Sequence, residues 1–250
     1  MNILKRCVCL AIFVAVAVPG SYAQVSSINS INIKEREFND VPGAGLTKLY
    51  NYPFYVSWSE TGVSAPTGFA NRDVWRFSNN GGATAYAFNN NEFFSVSMNL
   101  RLSGIPIAPR KEAGFLLDTI GGQGQFIVNT DGHEVVAFGG PFPFYAFPAT
   151  YNSGDSITLG MTYFLDPVTG KRSIIYTANG VNSPVLPFTN LEQGIIDGST
   201  LGGYFQIAND PANPNNQGMA QFGNIVIVPE PSALALLGLG ALGFLLRRKA

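Results

Sequence analysis

The chain has 250 residues, with 15 Lys and Arg, 16 Asp and Glu, one His and two Cys, and its formal net charge is −1 at pH 7. Five of the basic residues and one of the acidic residues lie outside residues 24–228, which leaves that segment 10 basic and 15 acidic side chains and a net charge of −5. This acidic segment has no basic patch, so we expect no nucleic-acid partner. Both cysteines, Cys7 and Cys9, lie outside it, so it can form no disulfide, thiolate metal site or cysteine nucleophile.

The first 23 residues have the three zones of a secretory signal peptide. Lys5 and Arg6 form the basic zone, residues 7–18 form an apolar zone of 12 residues, and small residues precede the cleavage position. We predict that signal peptidase cleaves between Ala23 and Gln24 and that the protein is exported. The apolar zone is too short for the alternative, a permanent membrane anchor.

The last 22 residues combine a proline motif, an apolar run and a basic cluster. The motif is Pro229-Glu230-Pro231, the run is residues 233–246, and the cluster is Arg247-Arg248-Lys249. As a helix the 14-residue run covers about 21 Å, whereas a bilayer core is about 30 Å thick. The tail therefore predicts a short transmembrane helix with its basic end in the cytoplasm. Because this helix is shorter than the bilayer core, it would hold the protein in the membrane only marginally. The alternative is a buried core helix.

These three parts in this order resemble the PEP-CTERM sorting signal of Gram-negative bacteria. The resemblance implies recognition by an exosortase, cleavage near the Pro-Glu-Pro motif, and transfer to the cell surface or the extracellular matrix. The inner membrane would hold the protein as an intermediate before processing. Whether and where the tail is cleaved stays open, and the signal does not identify the central domain, because unrelated domains carry such tails.

The central segment has the composition of a β protein. Gly, Asn, Thr, Tyr and Phe are frequent and charged residues are scarce, which favours strands and turns over helices. No repeat or linker divides residues 24–228, so we predict one domain. The clearest strand is residues 93–102, where apolar side chains alternate with Ser, Asn and Arg.

The remaining strands follow from alternation and turn signals. Asp131-Gly132 and Asp166–Gly170 predict hairpin turns. Residues 24–51 show no clear pattern, and Lys34–Glu37 indicates either a short edge strand or a surface turn. The predicted strands are 53–59, 74–77, 84–88, 93–102, 113–118, 125–130, 133–138, 157–165, 172–178, 202–208 and 222–228. About ten or eleven strands at this spacing predict an antiparallel β-sandwich.

The order of these strands resembles the concanavalin A-like jelly roll of LamG and legume-lectin domains. The resemblance spans about residues 50–228 and is carried by segments 112–117, 159–163, 176–180 and 221–227. It implies a lectin-like β-sandwich. The same sandwich hosts lectins, hydrolases and adhesion modules, so the fold alone does not decide the function.

A glycoside hydrolase needs two carboxylates about 5–10 Å apart. Hydrolases on this fold carry Glu-x-Asp-x-x-Glu, but the nearest segment, residues 129–134, begins with Asn129 and contains the predicted turn. His133 is the only histidine, and no Gly-x-Ser-x-Gly motif accompanies it. We therefore predict that the protein is not an enzyme. The alternative is a secreted glycoside hydrolase with an unfamiliar carboxylate pair, and its candidates are Glu92, Glu112, Asp118 and Glu134.

The candidate ligand-contact segment is residues 141–151. It has five aromatic residues and three prolines; the aromatic residues are Phe142, Phe144, Tyr145, Phe147 and Tyr151. If exposed, the segment would form an apolar contact patch for glycan. Otherwise these rings cap an open end of the sandwich, and we expect Trp58 and Trp75 in the core.

We expect no metal or other cofactor, because one His and no Cys cannot build a zinc site. A weak calcium candidate is the oxygen-rich loop with Asp210, Asn213 and Asn215, which otherwise reads as a surface turn. The leading hypothesis is an exported surface or matrix protein whose lectin-like sandwich binds exopolysaccharide or another surface component. A purely structural module is a further alternative.

Overall fold

Two antiparallel β-sheets packed face to face account for most of the described chain. The computed structural model describes residues 25–38, 41–188 and 194–229. The predicted signal peptide, its cleavage position and the tail from residue 230 onward lie outside these ranges. Within them the helical structure is a 3-10 turn, Val25–Ser27, and no helix is long and apolar enough to cross a bilayer.

Sheet A contains seven strands. In spatial order they are β1 (Ser30–Phe38), β4 (Ala70–Ser78), β14 (Thr200–Ala208), β6 (Lys111–Thr119), β7 (Gly122–Asn129), β8 (Val135–Phe138) and β9 (Tyr145–Ala146). Sheet B contains eight strands. In spatial order they are β12 (Val181–Asn182), β11 (Arg172–Ala178), β10 (Ser156–Leu165), β5 (Phe94–Ile105), β15 (Gln217–Pro229), β3 (Tyr55–Thr61) and β2 (Gly45–Asn51), with β13 (Leu186–Pro187) also beside β11.

This architecture confirms the predicted all-β antiparallel sandwich. The two predicted hairpins are present, since β7 pairs with β8 and β10 pairs with β11. Lys34–Glu37 belongs to β1, which is an edge strand of sheet A. Two strands, β1 and β2, lie in the stretch where the sequence showed no pattern.

The predicted strand at 84–88 is wrong. Only Phe88 makes an isolated bridge, with Ser199, and Tyr86 N donates one hydrogen bond to Phe77 O. A return strand needs a free edge of β4, but β1 and β14 pair with both of its edges. The segment therefore leaves the sheet after the turn at Gly81 and Gly82, where φ is 72° and 88°.

The core lies between the inner faces of the sheets and is rich in aromatic rings. Trp58 and Trp75 are both fully buried, as expected, and the ring of Phe222 packs edge-to-face against each of them at 5.7 and 6.0 Å. Such pairs stabilise by about 0.5–1.5 kcal/mol beyond their area burial. The two indoles and Phe222 therefore connect β3, β15 and β4 through the centre of the sandwich.

The last strand, β15, continues to the first residue of the predicted sorting motif. Val228 pairs with Ser95, and Pro229 pairs with Phe94 of β5. β15 lies between β5 and β3, inside sheet B. The predicted domain boundary after residue 228 stays a prediction, but the strand includes Pro229.

Gly203 is required by the packing of Trp75. A Cβ at Gly203 would lie 2.6 Å from the indole Nε1, which is closer than atoms can approach. We expect Gly203→Ala to lower the free energy of unfolding by about 1–3 kcal/mol, because either the indole or β14 must move. Gly223→Ala is the matched control, since its Cβ would meet its nearest neighbour, Phe54 O, at 3.6 Å. Denaturant unfolding of both variants measures the difference; equal losses would contradict this role for Gly203.

Candidate functional site

The alternation of β4 places two arginines on the side of sheet A that faces away from sheet B. Trp75 and Phe77 point into the core, so Arg72, Val74 and Arg76 point outward. We name this side the outer face of sheet A. The register brings further outward side chains beside them; these are Phe38 on β1, Tyr204 and Gln206 on β14, Glu112, Leu116 and Asp118 on β6, and Gln123, Gln125 and Ile127 on β7.

The middle of this outer face is an apolar floor that is buried although it does not meet the other sheet. Val74, Leu116, Ile127, Val136 and Tyr204 form a cluster separate from the main core, and each is at most 7% exposed. Residues on an uncovered sheet face would be solvated. The floor is therefore covered, and the polar side chains around it supply part of the cover.

Arg72 crosses this floor. Its Nε donates to Gln206 Oε1 at 2.8 Å and its Nη1 donates to Gln123 Oε1 at 2.9 Å. Gln123 lies on β7, so the second bond passes over β14 and β6, and the guanidinium carbon is 5.4 Å from the centre of the Tyr204 ring. Both acceptors are neutral amides, and within the described ranges Arg72 forms no ion pair with a carboxylate. Its charge acts on Glu112 through space, but it bonds to no carboxylate of a described residue and can still bond to an anionic ligand.

A buried acid lies beside Arg72 through a shared amide. Gln206 accepts from Arg72 and donates from Nε2 to Glu112 Oε1 at 3.1 Å. Glu112 is only 6% exposed, and burial raises its pKa, against the opposing charge of Arg110. Burial, and then the charge of Glu112, raise the pKa of Tyr204 well above its ordinary value. The pair thus combines a carboxyl group that is easily protonated with a phenol that stays neutral.

The Tyr204 hydroxyl is fully buried beside Glu112. It forms no hydrogen bond of regular geometry with a described residue, although its interaction with the Glu112 carboxyl group contributes to the raised pKa of the phenol. Buried hydroxyl groups normally form such bonds, so this one can still bond to a water or a ligand. The ring of Tyr204 lies beneath the Arg72 guanidinium.

Two exposed phenylalanines flank the arginine. Phe38 is 39% exposed and Phe69 is 63% exposed, and their rings meet edge-to-face at 6.3 Å. The guanidinium carbon of Arg72 is 5.0 Å from the centre of the Phe38 ring. Exposed aromatic rings beside a few oriented polar groups are typical of ligand sites.

The other end of the outer face is arranged around Arg76. Its guanidinium bonds to Glu37 Oε2 at 2.9 Å and, through Nε, to Asp118 Oδ2 at 2.8 Å, so its charge is neutralised. Gln123 Nε2 donates to Asp118 Oδ1 at 2.6 Å, which joins this end to Arg72. A cleft of about 490 Å³ opens here between Arg76, Lys34 and Asp118. The buried Nη1 of Arg76 has no hydrogen-bond partner among the described residues.

No two of the four candidate hydrolase carboxylates are placed as a glycosidase pair with free space between them. Glu92 accepts from Tyr86 Oη at 2.8 Å, which ties it to its own loop. Glu112 and Asp118 lie six residues apart on one strand, about 20 Å. Glu112 and Glu134 lie 3.7 and 3.1 Å from different nitrogens of Arg110. A cation therefore lies where a glycosidase would need the sugar ring.

Most of the aromatic segment 141–151 belongs to the core. Phe142, Phe147 and Tyr151 are at most 7% exposed, and Tyr151 Oη donates to Leu102 O at 2.8 Å while accepting from Leu102 N. Burial removes these three rings from any surface contact. Tyr145 is half-buried, and Phe144, at 71% exposure, presents the one widely exposed ring of the five.

Two side-chain oxygens of the predicted calcium loop accept hydrogen bonds from the turn itself. Asp210 Oδ1 accepts from Ala212 N at 3.2 Å, and Asn213 Oδ1 accepts from Asn215 N at 3.0 Å. His133 lies at the hairpin, with Nδ1 2.9 Å from Tyr151 O. Across residues 25–38, 41–188 and 194–229 no group of three or more His, Cys, Asp or Glu is placed to hold a metal ion.

Sequence reasoning missed the outer face of sheet A. Arg72, Arg76, Tyr204, Gln206 and Phe38 were not predicted to form a site. The usable signal was the spacing of Arg72 and Arg76, which places two cations on the same side of a strand whose other side carries Trp75 and Phe77. Their partners come from distant parts of the chain and carry no local motif.

Comparison with known proteins finds one matching family and a set of solved structures with a similar fold. Residues 228–249 match the family described as PEP-CTERM protein-sorting motif, so the protein is exported and sorted to the cell surface, as predicted. No curated protein is detectably similar to the chain. The solved structures with a similar fold include alginate lyases.

Three of these structures illustrate the likeness. An alginate lyase from Pseudomonas aeruginosa is 10% identical, with a TM-score of 0.50, over 72% of this chain and 88% of its own. One from Corynebacterium sp. is 13% identical, with a TM-score of 0.49, over 73% and 83%. An alginate lyase of polysaccharide lyase family 7 is 12% identical, with a TM-score of 0.46, over 78% and 83%. The shared feature is the jelly-roll sandwich.

The prediction that the protein is not an enzyme is wrong. It depended on the missing glycosidase carboxylate pair, which tests for hydrolysis alone, whereas the alginate lyase from Pseudomonas aeruginosa has a similar fold. The jelly roll itself was predicted. The predicted resemblance was to lectin and LamG domains, whereas the structures reported above are lyases. The fold therefore gives no ground for excluding catalysis.

A buried acid cluster lies under the edge strand β1, on the inner side of β4. Arg36 bonds to Glu60 at 2.8 Å, and its backbone N donates to Asp73 Oδ1 at 3.1 Å. Asp73 and Glu60 are both fully buried. Burial, followed by the charge of Glu60, raises the pKa of Asp73 from 3.8 to about 7.

This cluster predicts a pH dependence of stability. Because the folded state binds the Asp73 proton more tightly than the unfolded state, the stabilisation is present at low pH and is lost as pH rises from about 4 to about 7. We expect the free energy of unfolding to fall by about 2–3 kcal/mol between pH 5 and pH 7.5. Asp73→Asn should flatten this slope, while Asn at the exposed Asp155 should preserve it. An unchanged slope in Asp73→Asn would refute the assignment.

Proposed function

We propose that this exported domain binds an acidic polysaccharide on the outer face of sheet A, with Arg72 as the carboxylate anchor. The observation that carries the proposal is the Arg72 guanidinium, which is oriented by two neutral amides. A carboxylate that replaces Gln123 on Nη1 would gain a charge-assisted hydrogen bond in a partly buried site. The released Gln123 amide would keep its bond to Asp118.

The surroundings of Arg72 suit a sugar. Phe38 and Phe69 offer exposed rings on one side, and Gln206, Gln123 and the Tyr204 hydroxyl offer hydrogen-bonding groups on the other. A pyranose with a carboxylate has apolar ring faces and several hydroxyl groups, so it needs both kinds of contact. The Arg76 cleft extends the face along β4 and gives a polymer room beyond one sugar unit.

The comparisons support a polysaccharide ligand at the level of the fold. The Pseudomonas aeruginosa structure is that of an alginate lyase, and alginate is a polymer of carboxylated sugars. The sorting motif supports a location where such polymers occur, since it directs the protein to the surface. We further propose that an exosortase processes the tail and that the mature domain functions at the surface or in the exopolysaccharide matrix.

A second candidate function is polysaccharide lyase activity, which the proximity of Glu112 to Tyr204 favours. In β-elimination a base removes the proton on the carbon next to the carboxylate group, the bond to the glycosidic oxygen breaks, and a carbon–carbon double bond forms. Arg72 would neutralise the carboxylate, ionised Glu112 would take the proton, and Tyr204 would donate one to the leaving oxygen. The raised pKa of Glu112 makes its carboxylate a stronger base, and the raised pKa of Tyr204 keeps its proton on the phenol until the leaving oxygen takes it.

The binding proposal is tested at Arg72. We expect Arg72→Met to weaken binding of alginate oligosaccharides about 10- to 100-fold, because one charge-assisted interaction is lost. Arg101→Met is the matched control, since Arg101 is an exposed arginine on sheet B and donates to Gly154 O. Titration calorimetry at two salt concentrations, with neutral dextran as a negative ligand, measures the effect. Equal affinity in both variants would exclude Arg72 as the anchor.

The lyase candidate is tested by the ultraviolet absorbance of the new double bond. If the wild-type protein forms this product from alginate, we expect Glu112→Gln to reduce the rate at least about 100-fold while binding changes little. Glu134→Gln is the control, because it removes the other carboxylate beside Arg110. Absence of product from a panel of uronate polymers would remove the lyase candidate and leave the binding proposal intact.

A further inference from the structure

The sorting motif begins inside the folded sandwich. The family match starts at Val228, and both Val228 and Pro229 are paired with β5 as part of β15. The predicted apolar run begins at Ala233, so only residues 230–232 lie between the sheet and that run. Four steps of extended chain reach at most about 14 Å.

We propose that in the unprocessed protein the end of the sandwich at Pro229 rests on the lipid surface of the membrane that holds the tail. The proposal rests on the predicted membrane residence of the tail, which is part of the proposed sorting function. The polar layer on each side of a bilayer core is about 5–8 Å thick. A link of about 14 Å at most therefore keeps this end of the sandwich at or near the headgroups.

The β10–β11 turn projects beyond Pro229 toward the membrane. Tyr163 of β10 and Pro229 of β15 both pair with Phe94, so they lie at the same level on the two sides of β5. Leu165 lies two residues further, about 7 Å, and the turn continues beyond it. Leu165 alone therefore spans about half of the 14 Å that the link allows between Pro229 and the start of the apolar run. The tip of the turn lies further out and extends into the headgroup layer.

The side chains of this turn suit a lipid surface. Val168 is 89% exposed and Leu165 is 48% exposed. Asp166 is occupied within the turn, since it accepts from Val168 N at 3.0 Å and from Thr169 Oγ1 at 2.6 Å. Arg172, at the base of the turn, is held by the neutral oxygens of Asn90 and Asn91. An exposed apolar tip above an arginine matches the interfacial region of an anionic bilayer.

This orientation points the Arg72 end of the outer face away from the membrane. Ala208 at the end of β14 pairs with Ala70, near Arg72, and residues 209–216 connect it to the start of β15. Pro229 lies at the other end of β15. The polysaccharide site proposed above is therefore accessible before the tail is processed.

Site-specific labelling of the full chain tests the contact. The background is Cys7→Ser with Cys9→Ser, and single cysteines replace Val168 at the turn or Thr67 at the opposite end. Each protein carries an environment-sensitive fluorophore and is reconstituted in vesicles of phosphatidylethanolamine and phosphatidylglycerol that contain a headgroup-level quencher. We expect quenching at position 168 to exceed that at position 67 at least about threefold.

A longer link provides the second variant. Insertion of about twelve Gly and Ser residues after Pro229 should reduce quenching at position 168 toward the level at position 67, because the tether no longer holds the turn at the surface. Equal quenching at both positions, full quenching despite the insertion, or failure of the full chain to float with vesicles would each overturn the proposal. Alginate binding measured on the same preparations reports separately on the polysaccharide site.

Discussion

The proposed site depends on the guanidinium of Arg72, which neutral groups hold in place and which bonds to no carboxylate of the described residues. Gln206 and Gln123 orient Arg72 with neutral oxygens, and the rings of Phe38 and Tyr204 hold its plane. An arginine whose charge is already neutralised by a carboxylate attracts a further anion only weakly. Arg76, four residues away on the same face, is in that position, since Glu37 and Asp118 neutralise it. The two arginines therefore have different capacities: one can anchor an anion, and the other shapes a cleft.

The inner face of β4 explains why the outer face can be held in place. Trp75 packs against Phe222 and against the backbone of Gly203, so the strand that carries Arg72 has little freedom to shift relative to β14. β14 in turn carries Tyr204 and Gln206. Core packing on one side of two adjacent strands thus sets the distances among the polar groups on the other side.

The sequence predicted the central strands but left the edge strands β1 and β2 undecided, for one physical reason. A strand such as β5 has one apolar face buried against the core, so alternation records its burial. The edge strands β1 and β2 are half-exposed, and β1 is interrupted where Arg36 adopts a positive φ of 52°. Their patterns therefore resemble loops. The aromatic content of residues 141–151 indicated either a ligand-contact patch or a cap on the core. It could not distinguish exposed rings from rings such as Phe147 that pack in the core.

The site was harder to predict than the strands because it is made by pairing between distant segments. Arg72 and Gln206 are 134 positions apart and become neighbours only through the β4–β14 register. Neither β4 nor β14 carries a recognisable motif, and the acidic partner, Glu112, entered the sequence analysis only as a hydrolase candidate. A local reading can identify which residues face outward on one strand. It cannot identify which strands are adjacent, and adjacency creates the chemistry here.

The position of β15 links the fold to the sorting signal. β15 lies between β5 and β3, and its ring of Phe222 joins the two tryptophans, so the sandwich cannot close until the last strand before the tail is in place. Because three residues separate Pro229 from the apolar run, the proposed membrane residence of the tail would bring the run to the membrane just as this strand clears it. Under that proposal, completion of the core and arrival of the tail at the membrane are nearly the same event, and a folded domain held by its tail is the species that an exosortase would meet.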